Sequence, residues 1–234
     1  MKSKSLAASV VLLLGSVYGA SAFAADNPVD HAGIQHNMYL NCLLEGGVGE
    51  REALAYIVEK CGYDPGLPLD EYVKANQPIL DMDPLMPLAE KLAPVRDRYS
   101  AYEFSFFERI DAIVASGVDL DQAQAGFAEL EREAIARLDP KSAGGKNILG
   151  GLSVLRHSTR YWADYAAAYP NAGAAETGRM RWWKWLIVAV VDAGTYWLSE
   201  DVGTSSGASG QACTWLNGSS CPIPLGGIGG GSDP

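Results

Sequence analysis

Arg179-Met180-Arg181-Trp182-Trp183-Lys184-Trp185-Leu186-Ile187-Val188-Ala189-Val190-Val191-Asp192-Ala193-Gly194-Thr195-Tyr196-Trp197-Leu198 holds four of the six tryptophans of this 234-residue chain. It also carries the longest unbroken apolar run outside the N-terminus. Arg179, Arg181 and Lys184 stand at its front, and Glu200 and Asp201 close it. Two readings compete. A helix that is apolar nearly all round belongs in the middle of a bundle. Cations and Trp182, Trp183 and Trp185 at one end, with Tyr196 and Trp197 at the other, are also the pattern of a bilayer's aromatic belts. Length and charge favour the bundle. Trp182 to Leu198 is about 17 residues, the lower edge for a span. Asp192 inside it would cost a few kcal/mol in lipid. The segment is therefore expected as a buried core helix, with a membrane surface and a partner interface as alternatives. In a bundle, Asp192 is expected to face a cation such as Arg156 or Arg160.

The other apolar run is N-terminal and of a different kind. Lys2 and Lys4 precede an apolar stretch from Leu6 to Val17, followed by small residues that fit a signal-peptidase site. Cleavage after Ala24 is expected, which makes 1–24 a removed signal peptide. The protein is then exported, periplasmic or extracellular. Losing Lys2 and Lys4 leaves 16 cations against 28 acids, a net charge of −12. Such a balance excludes a nucleic-acid partner, whose phosphates need a basic face.

An exported chain with four cysteines, Cys42, Cys61, Cys213 and Cys221, is expected to hold two disulfides. Cys213 and Cys221 flank Asn217-Gly218, a tight-turn signal, and suggest a disulfide-closed hairpin or loop. Cys42 with Cys61 is the matching pair. If Gly46-Gly47 turns one helix straight back on the next, the two lie roughly 15 Å out of register, so the pairing requires a steep crossing or a fold-back.

Elsewhere the apolar residues recur at three and four. Asn27-Pro28 starts a helix on which His36, Leu40, Leu43 and Leu44 share a face. A second follows from about Glu50. A short one covers about Leu69–Asn76, and Asp83-Pro84 opens the longest, which Pro94 should kink or split. Asp119 and Gln122 form a capping-box variant ahead of the next helix. Lys146 to Tyr169 is helical and rich in Gly, Ser and Ala, which allows a neighbour to approach closely. Gly203 to Gly210 reads as a linker, and the stretch after Pro222 as a Gly-rich tail. The fold expected is all-α, an irregular bundle of about six helices over 25–201, with 202–234 as linker, Cys213–Cys221 loop and tail.

No motif for hydrolysis, phosphate binding or dinucleotide binding occurs. His31 and His36 are five apart, off the spacing of zinc ligands, so no metal and no cofactor is expected. The densest polar and aromatic cluster is His157-Ser158-Thr159-Arg160-Tyr161-Trp162. A site between this helix and the first is expected, lined by His36, Asn37, Arg156, His157, Arg160 and Trp162. The same residues also fit a polar seam inside a bundle. The leading expectation is a non-enzymatic envelope or secreted binding protein, whose partner is a protein or a small molecule. A membrane-active protein using 179–198 and a helical hydrolase or lyase using His36 and His157 are the alternatives.

Overall fold

Proline, glycine and small-residue positions decide where this chain turns. The computed structural model describes residues 26–47, 52–168 and 181–217. Their helices are α1 (His31–Gly46), α2 (Ala53–Lys60), α3 (Leu69–Leu80), α4 (Leu88–Lys91), α5 (Ala101–Ala115), α6 (Leu120–Arg137), α7 (Ala143–Ala168), α8 (Arg181–Ser199) and α9 (Val202–Asn217), with a 3₁₀ segment at Ala93–Arg98. Among the described residues there is no strand, so the protein is all-α as expected. The expected signal at 1–24, Cys221, the tail and the side chain of Arg181 lie outside the described residues.

Helix α8 is the centre. It packs most extensively against α7 and α9, and it also meets α3, α4 and α6. Trp185, Leu186, Val188, Ala189, Val191, Ala193 and Trp197 are buried, while Trp182, Trp183 and Lys184 are half-buried. The buried-helix reading of 179–198 holds for its described part, and no described helix is long and apolar enough to cross a membrane. Close contact with α7 depends on Gly150 and Gly151. A Cβ on Gly151 would stand inside the indole of Trp197, and one on Gly150 inside the phenol of Tyr196. Trp197 then closes the contact by donating its indole N–H to the Asn147 carbonyl at 3.1 Å. At the other end Trp162 stacks on Trp185, with ring centres 5.1 Å apart and planes 9° apart.

The expected linker at 203–210 is helical instead, part of α9, and it is core. Asp201 caps the helix by accepting from the Thr204 backbone N–H at 2.6 Å. The Tyr72 hydroxyl, at 2.9 Å, and the Tyr63 hydroxyl hold the same carboxylate. Burial and the nearby Asp201 charge push both phenols well above the usual tyrosine range. Glu200 adopts a left-handed backbone (φ 56°) between α8 and α9. Thr204, Ser205, Ser206, Ala208 and Ser209 are buried, and Ala208, Ala212, Cys213 and Leu216 belong to the same apolar cluster as α8. A boundary at 201/202 therefore falls inside one core. Small side chains gave this segment a linker's composition, and the same smallness lets α9 lie close to α1, α2 and α8. Its helix also replaces the first arm of the expected hairpin, Thr214 to Asn217. Cys213 is disulfide-bonded.

The expected helix from Asp83 is broken more widely than one proline would require. Pro84, Pro87 and Pro94 confine α4 to four residues, and Leu85, just ahead of it, is exposed. Helix α5 restarts at Ser100, where a complete capping box with Glu103 forms. A second complete box, Asp119 with Gln122, opens α6 as expected. Cys42 and Cys61 are bonded, with Cα atoms 5.9 Å apart. The straight-back register fails because α2 has only eight residues and Cys61 is its C-cap.

Packing at the two glycine positions makes opposite predictions. Gly151→Ala drives a methyl into Trp197 and should lower the unfolding free energy by about 1–3 kcal/mol. Gly210 sits inside α9 with open space where its Cβ would be. Gly210→Ala should raise stability by about 0.5–1 kcal/mol. Urea denaturation of the two variants checks both signs.

Candidate functional site

The residues expected to share one site divide into three places, and α7 touches all three. Its inward face carries Ser158 and Trp162, one edge carries Ser153, Arg156 and His157, and Arg160 faces outward.

The inward place is a fully buried polar knot. His36 of α1, Ser158 and Trp162 of α7, Asp192 of α8 and Ser205 and Ser209 of α9 have no solvent exposure. One Asp192 oxygen, Oδ2, accepts from Ser158 and from Ser209, the latter at 2.8 Å. Trp162 donates its indole N–H to Ser209 at 3.2 Å. Ser205 donates to the Asp192 main-chain carbonyl at 2.7 Å and lies 3.0 Å from His36 Nδ1. The single hydroxyl hydrogen of Ser205 is committed to that carbonyl, so His36 Nδ1 must be the donor to Ser205. His36 Nε2 then faces Asp192 Oδ2 at 3.3 Å. Asp192 thus meets His36 and two serines, and the expected partners Arg156 and Arg160 are elsewhere. A guanidinium would have had to be stripped of water to reach it, whereas short hydroxyls were already inside.

Serine, histidine and aspartate in one hydrogen-bonded chain are the residue types of a hydrolase. Here the serine proton points at a carbonyl and all three side chains are sealed from solvent. The arrangement ties four helices together and presents no nucleophile to a substrate.

The second place is at the α7 edge. Asp30 accepts from Ser153 at 2.9 Å, from the Arg156 guanidinium, and lies 3.0 Å from His157 Nε2. Arg156 Nε donates to Glu131 at 2.7 Å, and Asn27 donates to the other Glu131 oxygen at 2.8 Å. Gly33 sits against this cluster so closely that a Cβ would collide with the His157 ring and the Ser153 carbonyl. Asn37, expected in the site, donates to the His157 carbonyl at 3.1 Å. Asp30, Glu131 and Asn27 were missed in the sequence, and the only signal was that Asp30 lies six residues before His36. For Asp30 burial acts upward, but the Ser153 hydroxyl and the Arg156 and His157 charges outweigh it and hold the carboxyl below its ordinary range. For His157 burial and Arg156 press downward, and Asp30 does not fully offset them.

The third place is an open cavity of about 480 Å³ between α6 and α7. Leu120, Phe127, Ala128 and Ala163 give it apolar walls, and Arg156, Arg160, Asp121 and Asp164 line it with charge. Arg156 is fixed from behind by Asp30 and Glu131. Among the described residues Arg160, Asp121 and Asp164 form no ion pair. Arg156 and Arg160, four residues apart on α7, line one cavity together. The described residues hold no group of three metal-ligating side chains.

Compared with protein-family models, with curated proteins and with solved structures, the chain matches none.

Two outcomes follow from these clusters. Removing one member of a buried polar network leaves its partners unsatisfied, at a cost of about 1–3 kcal/mol. Asp192→Ala and His36→Ala should each cost that order, and the double variant should cost clearly less than their sum. Strict additivity in urea titrations would show that the two residues are uncoupled. The edge cluster makes a pH prediction. His157 and Asp30 both have folded values below their ordinary 6.5 and 3.8. Each therefore adds stability that is complete above that ordinary value and lost as pH falls below it. Urea midpoints should fall first below pH 6.5 and again below pH 3.8. His157→Gln should remove the first fall and Asp30→Asn should reduce the second.

Proposed function

We propose that this is a non-enzymatic binding protein of the envelope or the secreted space, and that it holds a small ligand in the cavity between α6 and α7. The observation that carries the reading is the cavity's construction. Its volume lies in the range of small-molecule sites, about 300–1,000 Å³, and its walls are apolar with a few polar groups converging, as such sites require. One of those groups, Arg156, is held rigid by hydrogen bonds to Glu131 and Asp30, so the wall is organised before a ligand arrives. The hydroxyl in the wall, on Thr159, is occupied by the Leu155 carbonyl at 2.6 Å. That leaves the lining suited to holding a molecule and poorly suited to attacking one. The export half of the proposal rests on Lys2, Lys4 and the apolar stretch Leu6 to Val17 ahead of Ala24.

Both halves are testable. Ala163→Trp fills the cavity from its half-exposed α7 wall. Ligand-observed NMR with a fragment set containing indole should detect binding to the unaltered chain and not to this variant, while the melting temperature stays within a few degrees. Equal binding by both proteins would remove the cavity as the site. N-terminal sequencing of protein recovered from the exported fraction should begin at Ala25. Recovery only from the cytoplasm, with Met1 retained, would overturn the export assignment.

A further inference from the structure

The charges around the α6–α7 cavity restrict what can enter it, and this step rests on the binding reading above. Arg156 already has a Glu131 carboxylate on Nε and Asp30 on its other nitrogen, so it brings rigidity and little net charge. The charges left to a ligand are Arg160, Asp121 and Asp164, none of them paired among the described residues. Arg160 and Asp164 are four apart on α7, close enough for an ion pair that they do not make. Asp121 faces them from the first turn of α6.

A simple anion entering here would meet Arg160 but also two carboxylates. A simple cation would meet the carboxylates but also the unpaired Arg160. Arg160, Asp121 and Asp164 are exposed, and a molecule carrying both signs meets each of them without setting like against like. Leu120, Phe127, Ala128 and Ala163 share the lining with these charges, so an apolar body suits it. We infer that the cavity takes a short apolar peptide with both termini free, its carboxylate on Arg160 and its ammonium on Asp121 and Asp164. Both termini are then held by charge-assisted hydrogen bonds, and side-chain identity is read only as apolar bulk. An exported acidic protein would meet such peptides as products of protein breakdown outside the cytoplasm.

Calorimetric titration of the full chain with trileucine, its N-acetyl form and its C-terminal amide tests this. Trileucine should bind, and blocking either end should weaken binding by about threefold to fivefold, the worth of an exposed charge pair. Arg160→Gln should make the acid and the amide bind alike while leaving the cost of acetylation intact. The double change Asp121→Asn with Asp164→Asn should do the reverse. Decanoate, an anion of similar apolar bulk, should bind more weakly than trileucine. Affinities within twofold for all three peptides, or tighter binding of decanoate, would overturn the ligand class. If indole binds and is lost in Ala163→Trp while trileucine does not bind, the cavity remains a site and the peptide inference falls. If neither binds, both fall together.

Discussion

A carboxylate with no access to water is the constraint around which this fold is arranged. Asp192 lies in the middle of the most apolar helix, where an uncompensated charge would be strongly destabilising. Compensation comes from outside its own helix. Ser158 arrives from α7, Ser209 from α9 and His36 from α1. Each of these side chains is short or rigid, so each must stand at one position on its helix. Advancing α9 by one residue turns Ser209 through about 100° and takes its hydroxyl away from the carboxylate. Apolar contacts between α8 and α9 would survive such a slip far better, because Ala, Gly and Val surfaces are interchangeable. The polar knot therefore fixes register, and the apolar residues around it supply most of the stabilisation.

The same economy of size explains how helices of such different composition share a core. Helix α8 supplies large aromatics, and α7 and α9 supply small residues to receive them. Gly150 and Gly151 accept Tyr196 and Trp197 at one end of α7. At the other, Trp162 and Trp185 stack, and Tyr165 meets both rings edge-on. Helix α9 is poor in large apolar groups but brings its backbone close to its neighbours, so its serines reach partners that long side chains would have held away. Ser206 shows the result, its hydroxyl lying within donating reach of the His36 carbonyl at 3.0 Å and of the Val202 carbonyl at 2.7 Å.

What the sequence made legible follows from which interactions are local. Periodicity and capping are local, so the all-α class, the α6 capping box and the inward face of α1 could be read directly. The glycine pair of α7 could be read as a site of close approach, although not against which residue. Composition misled at 203–210 because it counts glycine and serine as flexible without asking what they lie against. Asp201, an N-cap three residues before Thr204, was the local signal against a linker. The partner of Asp192 was not legible, since hydroxyls are common and a lone buried acid suggests a guanidinium first. Spacing along α7 could not tell its three faces apart. His36 and Trp162 went inward, His157 went to Asp30, and Arg160 went to the cavity.

That division of α7 gives the cavity its character. A helix that only bordered a pocket could tilt or roll when a ligand pressed on it. Here the inner face is held by Ser158 and Trp162 through the Asp192 knot, and the edge by Ser153 and Arg156 through Asp30 and Glu131. The outer face, with Thr159, Arg160 and Ala163, is thus a wall whose position is set by two independent polar attachments. Arg156 belongs to one attachment and to the cavity lining at once. A ligand group that drew its guanidinium forward would loosen Asp30 and Asn27, and a cluster loosened by acid would release the guanidinium into the cavity. Pocket and N-terminal segment therefore share one side chain, and a change in either must be felt by the other.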